Sequence, residues 1–489
     1  MNAPLRRISA VVLVMFLVLI GALTYIQFVQ ASELNADSRN VRITYREQGR
    51  ERGPIVIAGE EIAYSVEVDT PYRFQRTYAD GALYAPVTGY TSVVFQPTGI
   101  ERAANSVLNG TSPTLWRQRL EDLITGSQPE GGSVELTIDP ELQRVAYEAL
   151  GEAEGAVVAL DPATGAVLAM VSTPSFDPNL LASHDTAAAN SAWEDLINDP
   201  ADPLANRAIA GQTYAPGSTF KLIDTAAALS TGDYTPETRV PAPDVLTLPG
   251  STATIQNPAG LTCDDGETAT LMLALQKSCN TPFADLAMTL GEDAIRDQAE
   301  AFGWGEPLDI PLTVTPSRLG EIPDDAALAQ TAIGQRDVRT TPMQMAMVAA
   351  AIANDGVLMR PYLIATERAA DLSVVSETEP SEMSTAVSTD VAEMMTEMMV
   401  NVVANGTGAP AQIPGVAVAG KTGTAESGID DGTTASFPHA WFTSFAPAED
   451  PQIAVAVLVV NGADPSGDNY TGARLSAPIA RAVIEAKLS

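Results

Sequence analysis

From Ile8 to Ser32 the chain carries no charged residue, and the centre of that run, VVLVMFLVLIGAL, is apolar almost throughout. About 20 such residues span the hydrocarbon of a bilayer, where a single segment satisfies its own backbone groups only as a helix. The run is too long for the apolar stretch of a secretory signal, so the sequence predicts an anchor; cleavage after Val29-Gln30-Ala31 is the alternative. Arg6 and Arg7 precede the run and favour a cytoplasmic N-terminus, a bias that Arg39, Arg42 and Arg46 on the far side weaken. With no second span, the remainder is expected outside the cytoplasm.

The formal net charge is −34, which excludes nucleic acid as a partner, because phosphate binding needs clustered cations. It also argues against broad adhesion to an anionic membrane face. Lysine is scarce: Lys221, Lys277, Lys421 and Lys487 stand against 23 arginines. Cys263 and Cys279, 16 residues apart, read as a disulfide in an oxidising compartment, with two buried free thiols as the alternative. The two histidines, His184 and His439, belong to no Cys/His cluster, so no metal and no cofactor is expected.

Three regions follow from punctuation and periodicity: a tail and anchor at 1–32, a strand-rich N-terminal domain at 33–130, and a larger domain at 131–489. In the second, GPIVIAGEEIAYSVEV and APVTGYTSVVF read as strands, Leu115–Ile124 is amphipathic, and TGSQPEGGS reads as a joint. In the third, Asp139 caps a helix with Pro140 at its first position, and GAVVALDPATGAVLAMVS is a hairpin about Asp161–Gly165. HAWFTSFAP and QIAVAVLVVNG form a second strand pair, and LSAPIARAVIEAKL closes the chain as a helix. Strands at both ends of a helical middle predict an α/β (α+β) domain, an antiparallel sheet flanked by helices.

The segment Tyr214-Ala-Pro-Gly-Ser218-Thr-Phe-Lys221 carries chemistry. Pro216-Gly217 makes a turn, Ser218 opens a helix, and positions i and i+3 let Ser218 and Lys221 touch. A serine needs a base to attack an acyl carbon. Histidine is poorly placed for that, and lysine serves only when burial and a second cation lower its pKa. Ser278-Cys279-Asn280 lies 60 residues on, and Lys421-Thr422-Gly423-Thr424 lies 143 beyond Ser278. Gly423 lets a strand pass close to a site, and the two threonines offer hydroxyls. Two of the four lysines fall in this ordered set.

With these motifs the chain resembles the penicillin-recognising serine acyltransferases, most of all the class B (monofunctional) penicillin-binding proteins of the actinobacterial penicillin-binding protein A group. Supporting segments are Arg52-Gly53-x-Ile55, Gly99-Ile100-Glu101, Leu136-Thr-Ile-Asp139, Asn206-Arg207-Ala208 and Ala332-Ile-Gly-Gln335. The resemblance implies a penicillin-binding transpeptidase, serine β-lactamase-like fold. It implies a D,D-transpeptidase acting on D-Ala-D-Ala stem peptides of peptidoglycan and acylated by β-lactams, in wall synthesis and division, with a glycan polymerase and division proteins as partners. Ser218 is then the nucleophile, Lys221 its base and Ser278 a proton relay helped by Lys421. Asn280 would bind the substrate amide, Thr422 and Thr424 its carboxylate, and the Ser218 and Thr424 N–H groups the oxyanion. A β-lactamase needs a positioned deacylating base, and no E-x-x-L-N segment follows Asn280. A D,D-carboxypeptidase fits the same motifs, and a division scaffold is a further alternative. A glycosyltransferase partner is not expected, because no histidine precedes His184.

Overall fold

The computed structural model describes residues 2–30, 49–112, 115, 130–426, 438–462 and 471–489. A helix from Asn2 to Thr24 runs on through a wider turn to Val29. From Pro4 to Val29 it is long and apolar enough to cross a membrane, and none of the described residues buries it. The Arg39–Arg46 positives, most of the amphipathic stretch and the first half of the predicted joint lie outside the described residues.

Ile55–Ile57 and Glu60–Glu67 form a hairpin. Ala58 and Gly59 at its tip both have positive φ, which matches the right-handed twist of the strands they join. Phe74–Tyr78 pairs along the outer side. APVTGYTSVVF does not continue the sheet. Its first residues end a helix, Gly81–Thr88, and the rest is irregular. The good helix formers Ala82, Leu83 and Ala85 outweigh the β-branched Val87 and Thr88 at the end of that segment.

The short helices Gly99–Ala103 and Asn105–Leu108 bury Glu101 beneath this sheet. Arg52 Nε and Arg76 Nε each hold one of its oxygens, at 2.5 and 2.6 Å, and Tyr78 donates its hydroxyl at 3.1 Å. Burial works to raise the Glu101 pKa, but Arg76 and Arg52 together carry it below the usual carboxylate range. The Arg52-Gly53 and Gly99-Ile100-Glu101 segments are therefore two halves of one buried ion cluster.

Residue 130 is not a border in this sheet. Ser133–Leu136 pairs in parallel with Ile55–Ile57, and the much later strands Ile364–Arg368 and Val374–Glu377 complete six strands. The Gly131-Gly132 pair is packed rather than loose. Gly131 N donates to Glu51 O and Gly132 N to Val107 O, and a Cβ on Gly53 would lie 1.9 Å from Gly132 O. These glycines serve close backbone approach.

The second sheet has five antiparallel strands in the order Ala419–Ala425, His439–Ala446, Ile453–Val459, Gly155–Leu160, Val167–Thr173. Along the central strands Val157, Ala159, Val455 and Val457 face the Pro140–Leu150 and Gly472–Lys487 helices. Ala156, Val158, Ala456 and Leu458 face the Pro342–Ala353 helix and the main core. Covering both faces turns the strands into continuous apolar runs. Met343, Met345 and Met347 lie in that core as expected. The Ala419–Ala425 strand is one edge of the sheet, with the Thr389–Asn405 helix packed along it. The helices Lys221–Ser230, Leu271–Lys277 and Thr281–Leu290 gather beside that edge.

Glu101→Gln leaves one buried guanidinium, Arg76, and one half-buried, Arg52, short of a counter-charge and should lower stability by about 3–5 kcal/mol. Because the folded carboxyl pKa is depressed, this contribution is present above about pH 4.3 and lost as pH falls through the folded value. Thermal unfolding of the detergent-solubilised chain at pH 7 measures it; an unchanged transition would show that the cluster contributes nothing net.

Candidate active site

Ser218 sits in a tight 3₁₀ turn, Gly217–Thr219, that feeds the Lys221–Ser230 helix. Thr219 Oγ1 closes the turn on Pro216 O at 2.8 Å, and Trp441 Nε1 pins Ala215 O at 2.9 Å. Gly217 has φ +53°, and a Cβ there would meet Thr424 O at 2.4 Å. Its N–H donates to Gly334 O at 3.0 Å, and a Cβ on Gly334 would lie 2.0 Å from Gly217 O. On the facing strand a Cβ on Gly423 would lie 2.8 Å from Pro216 O. Glycine at 217, 334 and 423 thus lets three backbones meet at one serine.

Both motif lysines are buried, and both reach Ser278. Lys421 Nζ donates to Ser278 Oγ at 2.8 Å and to Thr422 O at 2.9 Å. Lys221 Nζ donates to Ser278 O and to Asn280 Oδ1, each at 2.8 Å. Ser278, at φ +59° between two helices, turns its carbonyl to one lysine and its hydroxyl to the other. Burial pushes the Lys221 amine well below its usual pKa and the charge on Lys421 pushes it further, while Asp224 pulls the other way. Burial alone pushes Lys421 down to about 7. The helical spacing allows a Ser218–Lys221 hydrogen bond, but none is formed: the Lys221 donors go to the carbonyl oxygens of Ser278 and Asn280, and the Ser218 hydroxyl has no hydrogen bond among the described residues.

Thr422 Oγ1 shares a hydrogen bond with Thr407 at 2.7 Å, and the exposed Thr424 accepts from Gly472 N at 3.4 Å. Cys263 and Cys279 are bonded, which ties the middle of Ser278-Cys279-Asn280 to the Cys263 loop. His439 stands edge-on to Tyr214, and its Nδ1 accepts from Asn461 N. Burial holds its pKa down to about 4, so the ring is neutral. His184 lies elsewhere, beside Thr70 and Tyr72.

Sequence reasoning missed three residues. Asn257 Oδ1 accepts from Asn280 N at 2.8 Å, Thr281 N at 3.1 Å and Thr281 Oγ1 at 3.2 Å, while Asn280 Nδ2 donates to Gln256 O. Only the turn-forming Asn257-Pro258 pair hinted at it. Asp224 is fully buried one turn beyond Lys221, and neither carboxyl oxygen has a hydrogen-bond partner. Burial raises its pKa well above the usual range against the pull of Lys221, so a protonated acid fits the site. An acid three residues after Lys221 in the apolar run LIDTAAAL was the available signal. Thr407 gave none.

The arrangement is a serine hydroxyl without a hydrogen bond, three residues before an amine whose pKa burial lowers, with a second buried amine hydrogen-bonded to the Ser278 hydroxyl. That is a site for acyl transfer to and from serine. Residues 155–485 match the model of the penicillin binding protein transpeptidase domain, and residues 52–134 that of the penicillin binding protein A dimerisation domain. The peptidoglycan D,D-transpeptidase PbpA of Mycolicibacterium smegmatis is 47% identical over 494 residues, covering 100% of this chain and 99% of the relative. PbpA of Mycobacterium tuberculosis H37Rv is 48% identical, with the same coverage. The penicillin G acyl-enzyme complex of M. tuberculosis penicillin-binding protein A superposes with a TM-score of 0.85 at 48% identity, covering 90% of this chain and 100% of that one.

Asn257→Leu removes the acceptor that holds Asn280 and Thr281 and should slow serine acylation by about 10–100-fold, while Asn257→Asp retains an oxygen and most of the rate. Stopped-time labelling with a fluorescent penicillin, alongside circular dichroism, separates the two. Equal rates in the Leu and Asp variants would remove Asn257 from the positioning role.

Proposed function

The chain belongs to the penicillin-binding protein family of transpeptidases, and from that premise we propose that Ser218 is the nucleophile with which it cross-links peptidoglycan. It is a peptidoglycan D,D-transpeptidase of cell wall synthesis. The observation that supports the assignment of roles is the path from Lys221 through Ser278 to Lys421, all of it out of water.

Neutral Lys221 takes the Ser218 hydroxyl proton as Oγ attacks the carbonyl of the penultimate D-alanine. The oxyanion forms between the N–H groups of Ser218 and Thr424, whose backbones the Gly217 contact brings together. Ser278 Oγ gives its proton to the departing D-alanine amine and is recharged from Lys421 Nζ, with which it is already hydrogen-bonded. Thr424, exposed in the cleft, and Thr422, oriented by Thr407, hold the terminal carboxylate beside Lys421 and Gly423. Asn280 takes the substrate amide once Lys221 turns to Ser218. An amine from a second strand then displaces Ser218 and completes the cross-link. With water as acceptor the same site is a D,D-carboxypeptidase.

The N-terminal helix anchors the chain with its N-terminus cytoplasmic and the rest outside. We assign residues 33–130, completed by the strands Ser133–Leu136, Ile364–Arg368 and Val374–Glu377, to a pedestal that meets the glycan polymerase and division proteins, and the rest of 131–489 to catalysis.

Incubation with penicillin G should give a stable adduct in the intact mass, mapped to the peptide holding Ser218; rapid drug hydrolysis without an adduct would point to a β-lactamase instead. Lys221→Ala should lower acylation by at least about 10³-fold and Lys487→Ala leave it unchanged. The acylation rate should fall on the acid side as Lys221 gains a proton, and on the alkaline side as Lys421, near 7 in the free enzyme, loses one. A pH profile that rises monotonically to pH 10 would remove Lys421 from the relay.

A further inference from the structure

The Ser278 and Lys421 motifs are joined a second time, away from the reacting atoms. Two residues before Ser278, Gln276 grips the C-terminal end of the Thr389–Asn405 helix with both ends of its side-chain amide. Its Nε2 donates to Asn405 O at 2.8 Å, and its Oε1 accepts from Asn401 Nδ2 at 3.0 Å. The Gln276 carbonyl accepts from Thr407 N at 3.2 Å, and a Cβ on Gly406 would collide with that oxygen. Gln412 Nε2 takes Val403 O and Ala404 O, so side chains from outside the helix satisfy most of its terminal carbonyls. Thr407, fixed in this way, sets its hydroxyl 2.7 Å from that of Thr422 on the Ala419–Ala425 strand. The links close a circuit: Ser278 to Lys421, along the chain to Thr422, across to Thr407, on to Gln276, and back through Lys277 to Ser278.

One hydrogen lies between Thr407 and Thr422, and its direction decides what Thr422 can bind. A carboxylate only accepts, so Thr422 holds one only with its own proton, and must then accept from Thr407. The Thr407 hydroxyl has no other partner among the described residues, which leaves its proton for that bond. We propose that Gln276 and Thr407 are positioning residues for the substrate carboxylate: Gln276 fixes the loop after the helix, Thr407 donates to Thr422, and the Thr422 proton is left facing the carboxylate beside Lys421. This rests on the transpeptidase reading of Ser218 and on the carboxylate role of Thr422 within it. A donor that itself accepts a hydrogen bond is polarised and binds more strongly. Because Gln276 stands two residues from Ser278, the grip on the carboxylate and the proton relay share one stretch of backbone.

Penicillin G and its methyl ester separate the carboxylate from the rest of the ligand. Their acylation rates on the full chain in detergent, read by loss of labelling with a fluorescent penicillin, compare the two without turnover. In wild type the free acid should acylate faster than the ester. Thr407→Val keeps the side-chain shape but removes the donor, and should cut the acid-to-ester rate ratio by about tenfold, with a smaller effect on the ester. Thr407→Ser should restore the ratio. Gln276→Ala should lower it in the same direction, and Gln276→Ala/Thr407→Val should fall no further than Thr407→Val alone, since both act through one hydroxyl. A ratio unchanged in Thr407→Val, or equal losses for acid and ester as a purely structural defect would give, overturns the Thr407 role. Additive losses in the double variant overturn the Gln276 role. Failure of penicillin G to acylate wild type at all would instead refute the Ser218 reading.

Discussion

Two ammonium groups shut away from water and leaning on one serine define what the rest of this molecule has to supply. Removing Lys221 and Lys421 from solvent costs several kcal/mol per ion if they stay charged, so each is driven toward the neutral amine that acid–base chemistry uses. Holding both at Ser278 takes three separate parts: a helix for Lys221, a sheet edge for Lys421, and a left-handed residue that turns its carbonyl one way and its hydroxyl the other. The large apolar core behind them keeps these parts from relaxing apart.

The same economy of space explains the glycines. Gly217, Gly334 and Gly423 come from three distant stretches of sequence, yet none could carry a side chain without forcing two backbones apart. The Cys263–Cys279 bond and Asn257 do for the Ser278 loop what the glycines do for Ser218, fixing a backbone from outside the reacting atoms. Asp224 is the exception, a buried acid one turn beyond Lys221 whose carboxyl oxygens have no hydrogen-bond partner.

Much of this was legible in the sequence where the signal was local. The Gly155–Thr173 hairpin, the Pro140 helix with its Asp139 cap and the Lys421 strand each carry their own turn, cap or alternation. The motif residues were legible because their order and spacing are rare. What escaped depends on distant pairing. No pattern in Ile364–Glu377 says that it pairs with Ser133–Leu136, and Asn257 differs from any other turn asparagine only by what packs on it. APVTG was misread because its β-branched residues lie at the end of a helix whose start they do not control. The Ser218–Lys221 spacing gave proximity but not the hydrogen-bond partner, since competing carbonyls come from another helix.

The late return of Ile364–Arg368 to the N-terminal sheet sets a timetable for the growing polypeptide. A ribosome adding about 5–20 residues per second needs on the order of 10–50 s to pass from Leu136 to Ile364. Throughout that interval the Ser133–Leu136 strand has no neighbour on its outer side and offers an open row of N–H and C=O groups. This sheet is thus among the first parts to be made and among the last to close, and its edge stands open to pairing with other strands during the wait.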